Sequence, residues 1–174
     1  GSTESTTNIV EVIENNGTLL INDITINFNL TGNYKYRIIN NAVTSSTNQP
    51  ATTTIVNGKF NDNTASLKSN SYFIYSVGSG SNLATTNIYG GKFTALNIEN
   101  VVYGDNLSKT NIYDGNFSTN CTTSAFFKGS AIFNIVGGTF GANTDGISVD
   151  GLTNNGYISG ANISAGTYGI IVKG

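Results

Sequence analysis

Apolar positions in the second half of this chain come in pairs, an isoleucine with a phenylalanine or isoleucine five residues further on, and the pairs return every 23 to 24 residues. The segment Asn87-Ile88-Tyr89-Gly90-Gly91-Lys92-Phe93 recurs as Asn111-Ile112-Tyr113-Asp114-Gly115-Asn116-Phe117 and as Asn134-Ile135-Val136-Gly137-Gly138-Thr139-Phe140. Looser copies run from Thr54 to Phe60 and from Tyr157 to Ile163. Isoleucines 88, 112, 135 and 158 are separated by 24, 23 and 23 residues. A second apolar column, Val102, Phe126, Val149 and Val172, keeps the same intervals, and two unconnected columns in one register are hard to obtain by chance.

One repeat of this length cannot bury its own apolar face. Stacked repeats can, because each strand then pairs in parallel with its copies about 4.8 Å above and below. The pattern therefore predicts an all-β chain, a β-solenoid of 23–24 residues per coil. The isoleucine and phenylalanine should point inward, with the glycines turning the corner between them. Alternation then places Asn87, Asn111 and Asn134 outside, together with Tyr89, Tyr113 and Val136. On the second strand it places Val101/Ala125/Ser148/Ile171 and Tyr103/Phe127/Asp150/Lys173 outside. The asparagine column is a candidate amide ladder along the stacking axis.

The first half is less regular. Ile55 and Ile88 are 33 residues apart, so loops such as Asn61–Asn70 or Gly78–Asn82 should hold the excess, and Ala42–Thr53, around Pro50, should project. Gly17–Asn29 and Tyr34–Ile39 read as a first coil or cap. The division expected is a tail left by cloning at 1–7, an irregular coil or capping segment at 8–49, and regular coils over 50–174, all in one domain. The chain ends on a strand, at Lys173-Gly174, whose open edge should continue or pack against something.

Composition agrees and removes several chemistries. Hydrophobic residues are 38% of the chain and charged residues only 10%, where an average protein carries about 25% charged. The difference is made up by 27 Asn, 23 Thr, 17 Ser and 21 Gly, which suit strands and tight turns. The net charge is -2 and Arg37 is the lone arginine, so no basic cluster can replace counterions on nucleic acid. No apolar run reaches the roughly 20 residues that span a bilayer. Without histidine, a Ser-His-Asp triad and Cys/His zinc sites are excluded, and no cofactor is implied. Cys121 is the single cysteine and should be a small half-buried side chain. An ice-binding face would need an outward threonine column; Thr86 and Thr110 begin one, but Phe133 and Gly156 end it.

Stacked Ile-x-x-Gly-x-Phe columns at this period resemble the right-handed parallel β-helix proteins of the pectin-lyase-like superfamily, over about residues 50–174 closely and 8–49 loosely. That group includes polysaccharide lyases and hydrolases, phage tailspikes, autotransporter passenger domains and large adhesins, so the resemblance implies a fold, a right-handed parallel β-helix, and no single activity. Phe60–Asn63, Phe117–Asn120 and Phe140–Asn143 are similar to the Phe-x-x-Asn element of chlamydial-type polymorphic outer-membrane proteins, but the companion Gly-Gly-Ala-Ile element is missing and turn chemistry explains the match. Asn143-Thr144-Asp145 is similar to a catalytic element of polygalacturonase-type hydrolases. The further carboxylate pair and the histidine of those enzymes are missing, so Asp145 reads as a turn residue.

The function expected is a non-enzymatic extracellular module of the adhesin kind, on a cell or virion surface, acting as a rigid stalk or presenting a face to glycans. The ligand row expected is Asn87, Tyr89, Asn111 and Tyr113, where rings and amides stack at coil spacing. Partners would be surface glycans, or other copies or domains meeting the solenoid ends, with no nucleic acid, no metal and no membrane insertion. The alternatives are a viral or phage fibre or tailspike domain, and a polysaccharide lyase or hydrolase.

Overall fold

The computed structural model describes residues 9–32, 34–44, 46, 48–151 and 155–174. The tail expected at 1–7 lies outside them. No helix occurs among the described residues, and the chain circulates through three strand stacks. Face A stacks β1 (Ile9–Asn15), β4 (Lys35–Ala42), β7 (Ser71–Val77), β10 (Ile98–Gly104), β12 (Cys121–Lys128), β15 (Asp145–Asp150) and β18 (Tyr168–Lys173). Face B stacks β2 (Thr18–Ile21), β5 (Ala51–Ile55), β8 (Ala84–Ile88), β11 (Ser108–Ile112), β13 (Ile132–Ile135) and β16 (Gly156–Ile158). Face C holds β3 (Ile24–Phe28), β6 (Gly58–Asp62), β9 (Lys92–Ala95), β14 (Thr139–Ala142) and β17 (Asn162–Ala165), with Asn116 bridging β9 to β14. Every ladder between these strands is parallel, and within each sheet a strand pairs with the next strand of its own stack, face C being interrupted between β9 and β14.

The first apolar column is as the repeat implies. Ile55, Ile88, Ile112 and Ile135 are in register on face B and fully buried. Beside them Phe60, Phe93, Phe117 and Phe140 form one ring stack, with centroids 4.7, 5.1 and 4.9 Å apart. In three of the five-residue corners between the columns a glycine is left-handed: Gly91, Gly115 and Gly138 have φ of 117°, 136° and 100°, while the Ile55–Phe60 corner turns without one. In the last repeat the left-handed residue moves one place earlier, to Gly160, as the glycine does in the sequence.

The second column is corrected by one place. Val102 pairs with Ala125 and then Ile147, while Phe127 pairs with Val149. Phe126 therefore lies in the outer row beneath Tyr103, and Phe127 is the buried ring, stacked on Phe133 at 4.4 Å. Two adjacent phenylalanines fit either register by spacing alone, and packing against Phe133 decides between them. Val101 and Ala125, expected outside, are buried too. Two successive positions point inward across face A (Ile38 and Ile39, Phe73 and Ile74, Val101 and Val102), and the ladders omit the first of each pair, which marks a bend in the strands.

Within the segment expected to be an irregular coil or cap, β1 to β4 are threaded into the same ladders, with Ile13 opposite Ile39, Ile21 opposite Ile55 and Ile26 opposite Phe60. The excess length lies at 63–70 and 78–83, where it was expected. The projecting loop around Pro50 is shorter than expected, because Ala51–Ile55 is strand and Ala51 and Thr53 are buried under Ala84 and Thr86. The Thr86 column is not outward at all: Thr53, Thr86 and Thr110 line the interior.

Asparagine also goes inside at the junction of faces A and B. Asn15 Nδ2 donates to Asn41 Oδ1 at 3.0 Å and to Thr53 Oγ1 at 2.9 Å, and Asn41 Nδ2 donates to Thr86 Oγ1 at 3.1 Å. Later repeats replace this network by the Phe127–Phe133 pair, for which Gly156 leaves the space: a Cβ there would stand 1.9 Å from the Phe133 ring. At the open edge, Ile170 and Val172 of β18 are exposed.

Candidate functional site

Face B assembles the row expected from the sequence. Tyr89 and Tyr113 project from successive repeats, 49% and 40% exposed, with rings stacked at 4.5 Å and 6°. Asn111 Nδ2 donates to Asn87 Oδ1 at 2.8 Å, and Asn87 Nδ2 reaches Thr54 Oγ1 at 3.4 Å. The amide ladder thus makes one step here, and among the described residues Asn134 does not extend it. A longer ladder forms at the turns leading to face A, where Asn143 Nδ2 donates to Asn120 Oδ1 at 2.6 Å and Asn120 Nδ2 to Asn97 Oδ1 at 3.3 Å. Two of the Phe-x-x-Asn asparagines, Asn120 and Asn143, are members, Asn97 is the third, and Asn63 is not part of it. On face B each tyrosine ring covers one face of the other, and both residues stay partly exposed.

A groove lies on face A instead. Two concavities of about 280 and 340 Å³ share Asn70, Tyr72, Tyr103 and Lys128 and so form one trough along the stack. Strand register aligns its floor in rows. One row is Arg37, Tyr72, Asn100, Thr123 and Asp145; the next is Asn40, Tyr75, Tyr103, Phe126 and Ser148. Rows of this kind follow from parallel pairing, which puts residues of equal register one above the other. Tyr103 is the centre: its ring centroid is 4.6 Å from that of Tyr72, 5.4 Å from Tyr75 and 5.2 Å from Phe126.

Charged groups hold the ends and rim. The Arg37 guanidinium lies 3.8 Å from the Tyr75 ring centroid, and its Nη1 is 3.4 Å from Glu11 Oε1 and 3.3 Å from Asn40 Oδ1. Asn40 Nδ2 closes the triangle by donating to Glu11 Oε1 at 2.8 Å. Tyr72 donates its hydroxyl to Asn70 Oδ1 at 3.0 Å, and Tyr75 to Asp105 Oδ2 at 3.3 Å. The Asn70 backbone N–H donates to Glu99 Oε2. Lys128, Asp150 and Lys173 alternate in sign along the far rim.

Burial, and then the Asp105 carboxylate, push the Tyr75 hydroxyl up to about 12. Burial also raises Tyr72, helped by Tyr103 and Glu99, and raises Tyr103, helped by Asp105 and Tyr75. These phenols therefore remain hydrogen-bond donors at neutral pH. Chemically the groove offers fixed hydroxyl, amide and ammonium donors beside carboxylate acceptors. Cys121 takes no part: it is fully buried rather than half-buried, its Sγ lies 3.4 Å from Gly141 O, and burial pushes the thiol up to about 12.

The sequence reading placed Tyr103 and Asp150 outside but did not bring them together with Arg37, Tyr72 and Tyr75. The signal that would have found the groove is the tyrosine cluster of β7 read against Tyr103, and unequal loop lengths between the two strands concealed it. No family model, no curated protein and no solved structure matches the chain.

Proposed function

We propose that the chain is a right-handed parallel β-helix, a module of an extracellular surface protein of the adhesin kind, and that it binds saccharide in the groove of face A without transforming it. The three parallel stacks visited in turn, with a regular repeat in the second half, support the solenoid reading. The observation that carries the binding reading is the trough centred on Tyr103, where protonated phenols, amides and carboxylates converge on a floor held rigid by paired strands. Hydroxyl-rich ligands need such donors and acceptors together, on a surface that loses little conformational freedom on binding. The strands under the floor of the groove, β4 to β15, are hydrogen-bonded on both sides, so an extended peptide has no free edge to join there.

The reading is tested by calorimetric titration with neutral, acidic and amino oligosaccharides, scoring turnover in the same samples. At least one class binds and is recovered intact. Tyr103→Ala weakens it by about 1–2 kcal/mol through loss of the central ring, whereas Tyr89→Ala with Tyr113→Ala leaves it unchanged. Absence of binding across the panel, or release of shortened products, contradicts the proposal.

A further inference from the structure

We infer that the C-terminal half of the face A groove is a subsite for a protonated amino sugar, held by the Asp145 carboxylate and the Ser148 hydroxyl. The inference rests on the saccharide reading of the groove and names the sugar that this half of it selects.

One polar group there is buried without a partner, and a carboxylate beside it opens on the concavity without one. Ser148 is 1% exposed and its Oγ makes no hydrogen bond. Asp145 is 8% exposed, and among the described residues its carboxylate receives no hydrogen bond and no ion pair. Both line the same concavity of about 340 Å³. An Asp that merely serves a turn bonds nearby backbone N–H groups, and Asp145 does not. Unpaired buried polar groups are costly and rare. The Ser148 hydroxyl, with the unpaired Asp145 carboxylate three residues away on β15 and so on the order of 10 Å between Cα atoms, is accounted for by a ligand that supplies the missing partners.

The sign of the ligand follows from the register. Asp150 lies between Lys128 and Lys173, but Asp145 lies between Thr123 and Tyr168, with no cation in its row on either side. An ionised carboxylate only accepts, so the ligand must donate and should be positive. A calcium ion asks for six to eight oxygens, several of them carboxylate, and no group of three acidic residues that could hold a metal gathers among the described residues. A single ammonium matches a single unpaired carboxylate. Phe126 and the hydroxyls of Thr122 and Thr123 on the same wall suit the body of a sugar.

The probes are the β-1,4-linked tetramer of glucosamine, its N-acetylated counterpart and the corresponding glucose tetramer, titrated calorimetrically into the whole chain. The glucosamine tetramer should bind tighter than the other two by about tenfold or more, the usual worth of a charged hydrogen bond. Asp145→Asn should abolish that preference, and Ser148→Ala should weaken binding. Both variants should unfold at the same temperature as the parent or higher, since neither loses a partner, which separates lost recognition from lost folding. Equal binding of all three tetramers, or unchanged preference in Asp145→Asn, overturns the amine subsite and leaves saccharide binding standing. Calcium chloride giving an isotherm that Asp145→Asn removes, or a lysine tripeptide matching the tetramer, also overturns it. Binding of no saccharide at all removes both readings.

Discussion

Thr86 and Thr110 occupy one interior column a single repeat apart, yet they stand in opposite chemical situations. The Thr86 hydroxyl meets Ser76 Oγ at 2.7 Å and accepts from Asn41, while Thr110 Oγ1 is buried with no partner. The reason is the neighbouring column, where Asn41 and Ser76 give way to Gly104, which has no side chain to offer. Valine has nearly the shape of threonine without the hydroxyl, so Thr110→Val should stabilise by about 1 kcal/mol, whereas Thr86→Val should cost about 1–2 kcal/mol. Urea midpoints of the two variants check this, and equal shifts in one direction would contradict it. Such interior polar residues were not legible as such in the sequence, because threonine and asparagine in a strand are usually assigned to the wet side.

The strands of face A carry the second consequence. Tyr72, Tyr75 and Tyr103 on this face, with Tyr36 beneath it, all titrate above the ordinary phenol value, mainly through burial. An unfolded phenol titrates near 10. The folded form thus binds more protons than the unfolded one above that pH, and the stability is intact below pH 10 and falls as pH rises through the folded values. Urea midpoints should be flat from pH 7 to about 9.5 and decline steeply above about 10; a flat profile to pH 12 would contradict the burial of these rings. At this scale the sequence was informative where each repeat carries a bulky residue in a unique place, as Ile88 and Phe93 do. It misled where neighbours were equivalent, as with Phe126 and Phe127, and where a strand bends, since alternation cannot anticipate Val101 and Val102 both turning inward.

Over the whole molecule the repeat determines which residues share a row, and the rows determine what each face can do. Face B received the tyrosines that the repeat made conspicuous, each covering one face of the other. Face A received residues from strands separated by unequal lengths of chain, Arg37, Tyr72, Tyr103 and Asp145, which share no sequence motif and meet only through strand register. The candidate groove was therefore legible only in part. The most direct test is a backbone and side-chain NMR titration of the chain with the tightest-binding oligosaccharide. The predicted shifts centre on Tyr72, Tyr103, Phe126 and Ser148 and follow the trough along face A; shifts centred on Asn87, Tyr89, Asn111 and Tyr113, or scattered over all three faces, would contradict the assignment.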